Sequence, residues 1–329
     1  MGPPPIWSSS DPPLKRSCKI IAVLPAYNAE RTIAHALESA LAQTCDGHEI
    51  VVVNDGSTDS TAAILEKYRE RIRVVNQPNR GPSAARNAGV AEARGTFVAF
   101  LDSDDLWLPG KLHTMLAALE KHPWASLAFS EYSIFSSAGG EYDNSSLGHA
   151  PSRQELMEES LPSILTSTWV LPKATFEQSG GFCEALANSK GQGFEDSWLL
   201  LILSEIGEFV YVPEVFTRYR INENVENADK YGPKLFAFLS VAKGRYGSKS
   251  KALVRNAKKL QCQFLRSKLA HQIDRGERLA ALSTFARMAK LRPAYLLGSE
   301  FMGRLRLPQN SWRVLRLLRG QAGAVNIRG

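Results

Sequence analysis

Four short strand-like runs, each breaking off in a cluster of polar or acidic residues and each followed by a segment of helical character, constrain this chain more than any other feature. Ile20 to Leu24 leads into Pro25-Ala26-Tyr27-Asn28, and Ile50 to Val53 stops at Asn54-Asp55-Gly56. Arg73 to Asn76 runs into the Gly- and Ala-rich stretch Asn79 to Ala93, and the wholly apolar Phe97 to Leu101 ends at Asp102-Ser103-Asp104-Asp105. Between the runs, Ile33, Leu37 and Leu41 recur every four residues, with Asn28 as the expected N-cap, and a second helix is predicted from Thr61 to Arg71. Strands alternating with helices build βαβ units and a mostly parallel sheet. The polar clusters then fall just past the C-terminal ends of the strands, the edge at which open parallel sheets bind ligands.

Farther along, the order loosens. Turn-rich stretches occur at Gly139-Gly140 and Gly180-Gly181, a helix is predicted from Glu195 to Ile206, and a strand from Phe209 to Val212. This part is expected to complete the same sheet and to shape a second pocket. Beyond Asp229 the chain turns to Leu, Ala, Lys and Arg at helical spacing, broken near Asp274-Arg275-Gly276, at Pro293 and at Pro308. Charge changes with composition: residues 1–229 carry 18 Lys and Arg against 30 Asp and Glu, whereas residues 230–329 carry 22 against 3. A last third of net charge +19 on a body of −12 implies an anionic surface or partner for that third.

Several classes are excluded. A hydrophobic content of 44% with 22% charged residues belongs to an ordinary globular protein, not to a disordered or fibrous one. No apolar stretch approaches the ~20 residues that span a bilayer; Leu199 to Leu203 is typical. The N-terminal MGPPPIWSSSDPPLKRS reads as a Pro-rich tail and has no secretory core, while Ile6 stands where myristoylation calls for Ser or Thr. Cys18, Cys45, Cys183 and Cys262 form no close pairs, and the six histidines show no zinc spacing. A reduced, cytoplasmic setting follows as the expectation.

Two carboxylates one residue apart at a strand end, Asp102 and Asp104, can turn toward one hard cation, because Mg²⁺ and Mn²⁺ favour oxygen ligands and share their sphere with substrate phosphates. An isolated D-x-D is more often a solvated turn that caps the next helix, so context decides. Asp55 at the second strand end can accept from a base or ribose, with Gly56 permitting the tight turn; taken alone, Asp-Gly-Ser reads rather as ordinary turn chemistry, with Asp59 capping the next helix.

Taken together, Leu24-Pro25-Ala26-Tyr27-Asn28, Val53-Asn54-Asp55-Gly56-Ser57-Thr58-Asp59, Asn79-Arg80-Gly81-Pro82-Ser83-Ala84-Ala85-Arg86-Asn87 and Leu101-Asp102-Ser103-Asp104-Asp105 resemble the family 2 glycosyltransferases. The similarity runs from about Lys19 to Arg220, with four motifs in register. It implies a GT-A type, Rossmann-like α/β fold with a mostly parallel sheet flanked by helices, a nucleotide-diphosphate sugar donor, and inversion at the anomeric carbon. By that resemblance Pro25, Ala26, Tyr27, Asp55 and Ser57 serve the base and ribose. Asp102 and Ser103 lie at the ribose and diphosphate, and Asp104, with Asp102, holds Mn²⁺ or Mg²⁺. Gly81, Arg86 and Asn87, on a segment capped by Ser83, lie near the donor, where a helix N-terminus and a guanidinium suit phosphate oxygens; Arg86 is equally readable as a structural salt bridge.

Gly180-Gly181-Phe182 followed by Gly193-Phe194-Glu195-Asp196 extends the resemblance. Inverting displacement needs a carboxylate to take the proton of the attacking hydroxyl; Asp196 is the expected base, with Glu195 as support or substitute. The alternative is that both acids simply favour a helix N-terminus. Arg218-Tyr219-Arg220 resembles the closing basic element that reaches the diphosphate through Arg220, and the absence of a Gln-x-x-Arg-Trp motif points to single additions rather than processive polysaccharide synthesis. Trp107 and Trp198 either stack on sugars or pack. The organisation expected is a tail over 1–18, a transferase domain over 19–228 with halves 19–125 for the nucleotide sugar and 126–228 for the acceptor, and a basic helical extension over 229–329.

Within that extension, Ser311 to Arg319 can segregate apolar and cationic faces on one helix, which would rest on anionic lipid or pack on the enzyme. A glycan or lipid-linked acceptor and peripheral contact with the inner face of the membrane suit the first case. The rival readings are a nucleic-acid-binding protein working through the tail and a non-catalytic nucleotide-sugar binder. No nucleic-acid motif supports the former, and Asp104 and Asp196 speak against the latter.

Overall fold

The computed structural model describes residues 20–45, 47–136, 141–142, 148–158, 164–187 and 194–221, and beyond these 240–250, 277–291 and single positions between 238 and 272. The expected tail over 1–18 and the Ser311 to Arg319 segment lie outside the described residues. Two compact units divide the chain, 1–225 and 226–329.

In the first unit, β1 (Ile20–Ala26), β2 (Glu49–Asp55), β3 (Arg73–Gln77) and β4 (Phe97–Phe100) are joined through α1 (Ile33–Leu41), α2 (Thr61–Glu66) and α3 (Pro82–Glu92). All pairings within this block are parallel: β1 with β2, β2 with β3, and β1 with β4. Every residue of β1 and β4 is buried, as a strand covered on both faces requires. Helix α1 buries Ile33, Ala36, Leu37 and Ala40, the i, i+3, i+4, i+7 stripe of a helix laid on a sheet. Helix α3 lies closer still: a Cβ added at Gly89 would overlap Val23 Cγ1 and stand 3.2 Å from Val53 Cγ2.

The rest of the sheet comes from β5 (Leu106–Trp107), β6 (Ala125–Ser136), β7 (Glu141–Tyr142), β8 (Trp169–Pro172) and β9 (Glu208–Ile221). The spatial order is β3-β2-β1-β4-β8-β6-β9-β5, with β7 paired to β6. Strand β8 runs antiparallel to both β4 and β6, while β9 is parallel to β6. The helices of this half are α4 (Lys111–Lys121), α5 (Arg153–Glu158), α6 (Lys173–Ser179), α7 (Glu184–Ala187) and α8 (Glu195–Ile206), with a 3₁₀ turn at Thr166–Thr168 before β8.

This arrangement places the site. The chain leaves β1 toward β2 and β3 on one side and returns to pair β4 on the other, so the direction of strand order reverses between β1 and β4, the position at which open α/β sheets bind ligands. Because β8 is reversed, it is the 3₁₀ turn at the start of β8 that meets the end of β4.

Three local expectations are corrected. Asn28 does not cap α1, which begins after Thr32. Instead Asn28 sits in the left-handed region (φ 49°), accepts the N–H of Thr58 at 2.8 Å, and donates its own N–H to Ser57 Oγ at 3.1 Å. Its short polar side chain tolerates that conformation and ties the first two polar loops together. Helix α2 stops at Glu66, short of Arg71. Ser83 does not cap α3; Gly81 holds that position at φ 86°, followed by Pro82 at the first helical turn.

In the second unit, α9 (Arg278–Leu291) buries Ala281, Thr284, Phe285 and Met288, again one stripe of a helix. Among the described residues no helix is long and apolar enough to cross a membrane.

Candidate active site

Tyr27, Asp55 and Asp102 lie at or just past the ends of β1, β2 and β4, on one edge of the sheet. Pro25 and Ala26 are buried in β1, whereas Tyr27 is 50% exposed, a large ring left in solvent at that edge. Asp55 is almost wholly buried; its carboxylate accepts from Gln77 Nε2 at 2.6 Å, from the Arg80 N–H at 2.9 Å and from the Gly81 N–H at 2.8 Å. It thereby fixes the loop that opens α3. Gly56 has to be glycine: φ is +72°, and a Cβ would stand 2.7 Å from the Asn79 backbone nitrogen.

The Asp102 to Asp105 turn is the most acidic part of the edge. Its conformation is set by Ser167, which is fully buried and whose Oγ accepts the Asp102 N–H at 3.0 Å and donates to Asp105 Oδ2 at 2.6 Å. Asp105 also accepts the Arg220 N–H at 3.0 Å, so it faces inward and braces the turn. Asp102, Ser103 and Asp104 are left partly exposed. Arg220 lies against the same turn, with Nε donating to the Asp104 carbonyl at 2.9 Å and its guanidinium carbon 4.4 Å from the centre of the Phe135 ring.

Electrostatically the turn is overloaded. Burial, then the charge of Asp102, push Asp104 up to about 6 despite the nearby cations of Arg220 and Arg86. Burial and the charges of Asp102 and Asp104 push Asp105 well above the usual carboxylate range. A divalent cation would relieve this repulsion. Among the described residues no three His, Cys, Asp or Glu side chains converge on one point. Among the described residues the turn would offer a cation Asp102 and Asp104, a donor set that fits a hard ion whose remaining positions go to substrate phosphates and water.

Arg86, on α3, links this turn to a second acidic group. It is 5% exposed; Nη2 bonds Asp102 Oδ1 at 2.5 Å, and Nη1 lies 3.7 Å from Glu195 Oε1. Burial opposes its charge, but Asp102, Glu195 and Asp196 outweigh that and hold the guanidinium above its ordinary value. Of the two readings of Arg86, the structure therefore shows the salt bridge, and shows that it joins the two acidic clusters. Asn87 is engaged by a neighbouring turn: its amide donates to the Phe182 carbonyl and accepts the Phe182 N–H, both at 2.9 Å, which pins the Gly180-Gly181-Phe182 turn to α3.

Glu195 and Asp196 open α8. Phe194 before them holds a left-handed backbone (φ 70°), uncommon for a bulky residue and a local cost that the packing must carry. Burial and the adjacent Glu195 charge raise Asp196 to about 6, against which the Ser197 N–H bond at 2.6 Å and Arg86 act. Trp107 and Trp198 are 3% and 8% exposed, so packing is the reading of these rings that holds. Trp107 donates its indole N–H to the Ser167 carbonyl at 2.8 Å. Sequence reasoning missed Ser167 because it precedes an unremarkable strand, 65 residues from Asp102, and only the reversal of β8 brings the two together.

Comparison with known proteins agrees with the fold. Residues 21–177 match the family model described as Glycosyl transferase family 2. Glycosyltransferase GlyA of Streptococcus pneumoniae is 37% identical over 127 residues, 38% of this chain and 18% of that protein. An uncharacterised glycosyltransferase of Nostoc sp. is 41% identical over 106 residues, 31% of this chain and 33% of that one. The matches thus span no more than about a third of these relatives' own length. Among solved structures, S. aureus TarS 1–349 in complex with UDP-GlcNAc aligns with TM-score 0.56 at 18% identity, covering 83% of this chain and 81% of that one, which shows the shared GT-A type fold.

Proposed function

We propose, from the match of residues 21–177 to the family 2 glycosyl transferase model, that the chain transfers a sugar, with inversion, from a UDP- or TDP-linked donor to a hydroxyl of a glycan or lipid-linked acceptor. One observation carries the reading: a single buried arginine joins a two-carboxylate turn at the switch point of the sheet to an acidic pair opening a helix. The first cluster is suited to a diphosphate with its cation, the second to a proton.

In this reading Tyr27 stacks on the base beside Pro25, Ala26 and Ser57, and Asp55 keeps the Arg80-Gly81 loop in place behind it. Asp102 and Asp104 hold Mn²⁺ or Mg²⁺, which supplies charge neutralisation for the departing nucleoside diphosphate. Arg220, already against the Asp104 carbonyl, adds positive charge on the same side. Asp196, raised to about 6, is ionised at neutral pH yet basic enough to take the acceptor's proton as the anomeric carbon is attacked from the opposite face. Glu195 keeps Arg86 near that base. The UDP and UDP-GlcNAc bound to TarS support a uridine nucleotide as the first donor to try. The charge of the last hundred residues supports an acceptor at an anionic lipid surface.

Thermal unfolding with nucleotide and metal tests the proposal. UDP with Mn²⁺ is expected to raise the melting temperature, and Asp104→Ala to abolish the rise. A parent protein that no nucleoside diphosphate stabilises, with or without Mn²⁺, refutes it.

A further inference from the structure

Lys111, the first residue of α4, is fully buried, and no part of the transfer chemistry above uses it. Lysine is almost never fully buried unless its charge is answered, because stripping water from an ammonium is costly. Here burial alone lowers its value to about 7. Among the described residues no carboxylate answers it; three neutral oxygens do. Its Nζ donates to the Thr168 carbonyl at 3.1 Å, to Ser130 Oγ at 3.3 Å and to Thr217 Oγ1 at 3.3 Å, and lies 5.7 Å from the centre of the Trp107 ring. An ammonium has three donors and no acceptor, so this set matches its capacity. The partners come from three separate elements, the 3₁₀ turn before β8, β6 and β9.

The direction of these bonds matters. Lys111 donates to the Thr217 hydroxyl, which in turn donates onward to the Ser167 carbonyl at 3.2 Å. The same carbonyl receives the Trp107 indole N–H. Held by these contacts, Ser167 presents its Oγ to the Asp102 N–H and to Asp105. Thr217 is also three residues before Arg220, whose N–H meets the other oxygen of Asp105. The restraints that Ser167 and Arg220 place on the carboxylate turn from beneath thus run through residues that Lys111 bonds directly or through one hydroxyl.

We propose that Lys111 is a positioning residue: its buried ammonium orients Thr217 and the Thr166–Thr168 turn, and through Ser167 and Arg220 fixes the Asp102 to Asp105 turn in the geometry that receives the donor diphosphate. The proposal rests on the donor-site reading given above. A buried charge kept at a cost to folding, beneath a site that needs its carboxylates placed accurately, is the pattern expected of preorganisation, where a displacement near 1 Å can cost about a hundredfold in rate.

Two variants test it. Lys111→Met keeps the length and apolar stem while removing all three donors, and Thr217→Val breaks the relay from its other end, so a failure of the first to fold leaves the second informative. Donor turnover is measured on both, with the indole N–H resonance of Trp107, assigned through Trp107→Phe, as a signal independent of activity. Expected are a fall in kcat of about ten- to a hundredfold with a donor KM within about threefold of the parent, and a shifted Trp107 resonance while that of Trp169, bonded to the Ile164 carbonyl, stays put. Folded variants with parental kcat, or with an unmoved Trp107 signal, overturn the proposal. A parent that turns over no nucleotide sugar sinks the donor-site reading instead, and is told apart because the variants' Trp107 signal still moves.

Discussion

Replacing Asp196 with asparagine should make the protein more stable and less active at once. The ordinary aspartate value is 3.8, and burial with the Glu195 charge lifts Asp196 to about 6. At about 1.4 kcal/mol for each tenfold change in proton affinity, folding disfavours the ionised form by roughly 3 kcal/mol, and the half-buried position of the residue trims the usable part to about 1–3 kcal/mol. The sign follows from linkage. Between pH 3.8 and about 6 the folded state binds the proton that the unfolded state has released, so stability falls as pH rises through that window, and the full penalty is present above it. An asparagine side chain there would carry no charge and could still accept the Ser197 N–H. Asp196→Asn is therefore expected to melt several degrees above the parent at pH 7.5 and to show no gain near pH 4. Its turnover with saturating donor, acceptor and Mn²⁺ should fall by about 10²–10⁴, the usual contribution of a general base, and the parent's rate should halve near pH 6 on the acid side. A variant that melts with the parent at pH 7.5, or that turns over normally, refutes the reasoning.

Ser167→Ala withdraws the hydroxyl shared by Asp102 and Asp105, and should cost about 1–3 kcal/mol in denaturant unfolding as well as the nucleotide-dependent rise in melting temperature. Gly181→Ala meets both a left-handed φ of +71° and the Asn87 Oδ1 at 2.7 Å; its melting point should drop by more than that of an exposed helical substitution such as Glu66→Ala. For Lys111 the linkage runs the other way. Its value falls from 10.5 to about 7 on folding, so the unfolded state binds more protons between those limits, and stability should rise with pH from about 7 to 10 in the parent but not in Lys111→Met, as read by urea titrations across that range.

Strands β1, β2 and β4 were legible because each is built on a run of apolar or β-branched residues, buried throughout apart from Glu49. Their loop-bearing ends followed from the parallel pairing. What sequence could not show was the role taken by each polar side chain within those loops. Asn28 reads as a cap by type and position, but a second loop 30 residues on competes for its amide and wins. Asn87 sits one residue from Arg86 in the same motif, yet helix geometry points it at Phe182 while Arg86 points at Asp102. Lys111 and Ser167 gave no signal because neither residue type in isolation implies a role, and both gain one from strands paired far along the chain.

The spans of those contacts have a consequence for how the protein comes to be. Asp105 waits for a hydroxyl 62 residues downstream and for an amide 115 residues downstream, the latter in the last strand of the sheet. Chains rich in such distant pairings fold slowly, since the closure of long loops precedes any return from them. A nascent polypeptide that has emerged only as far as α8 can pair β1 to β4 and bury most of their surface, yet its acidic turn still lacks the brace from the last strand. Competence is thus the final thing this fold acquires, and a truncated product would be a scaffold without a workable centre.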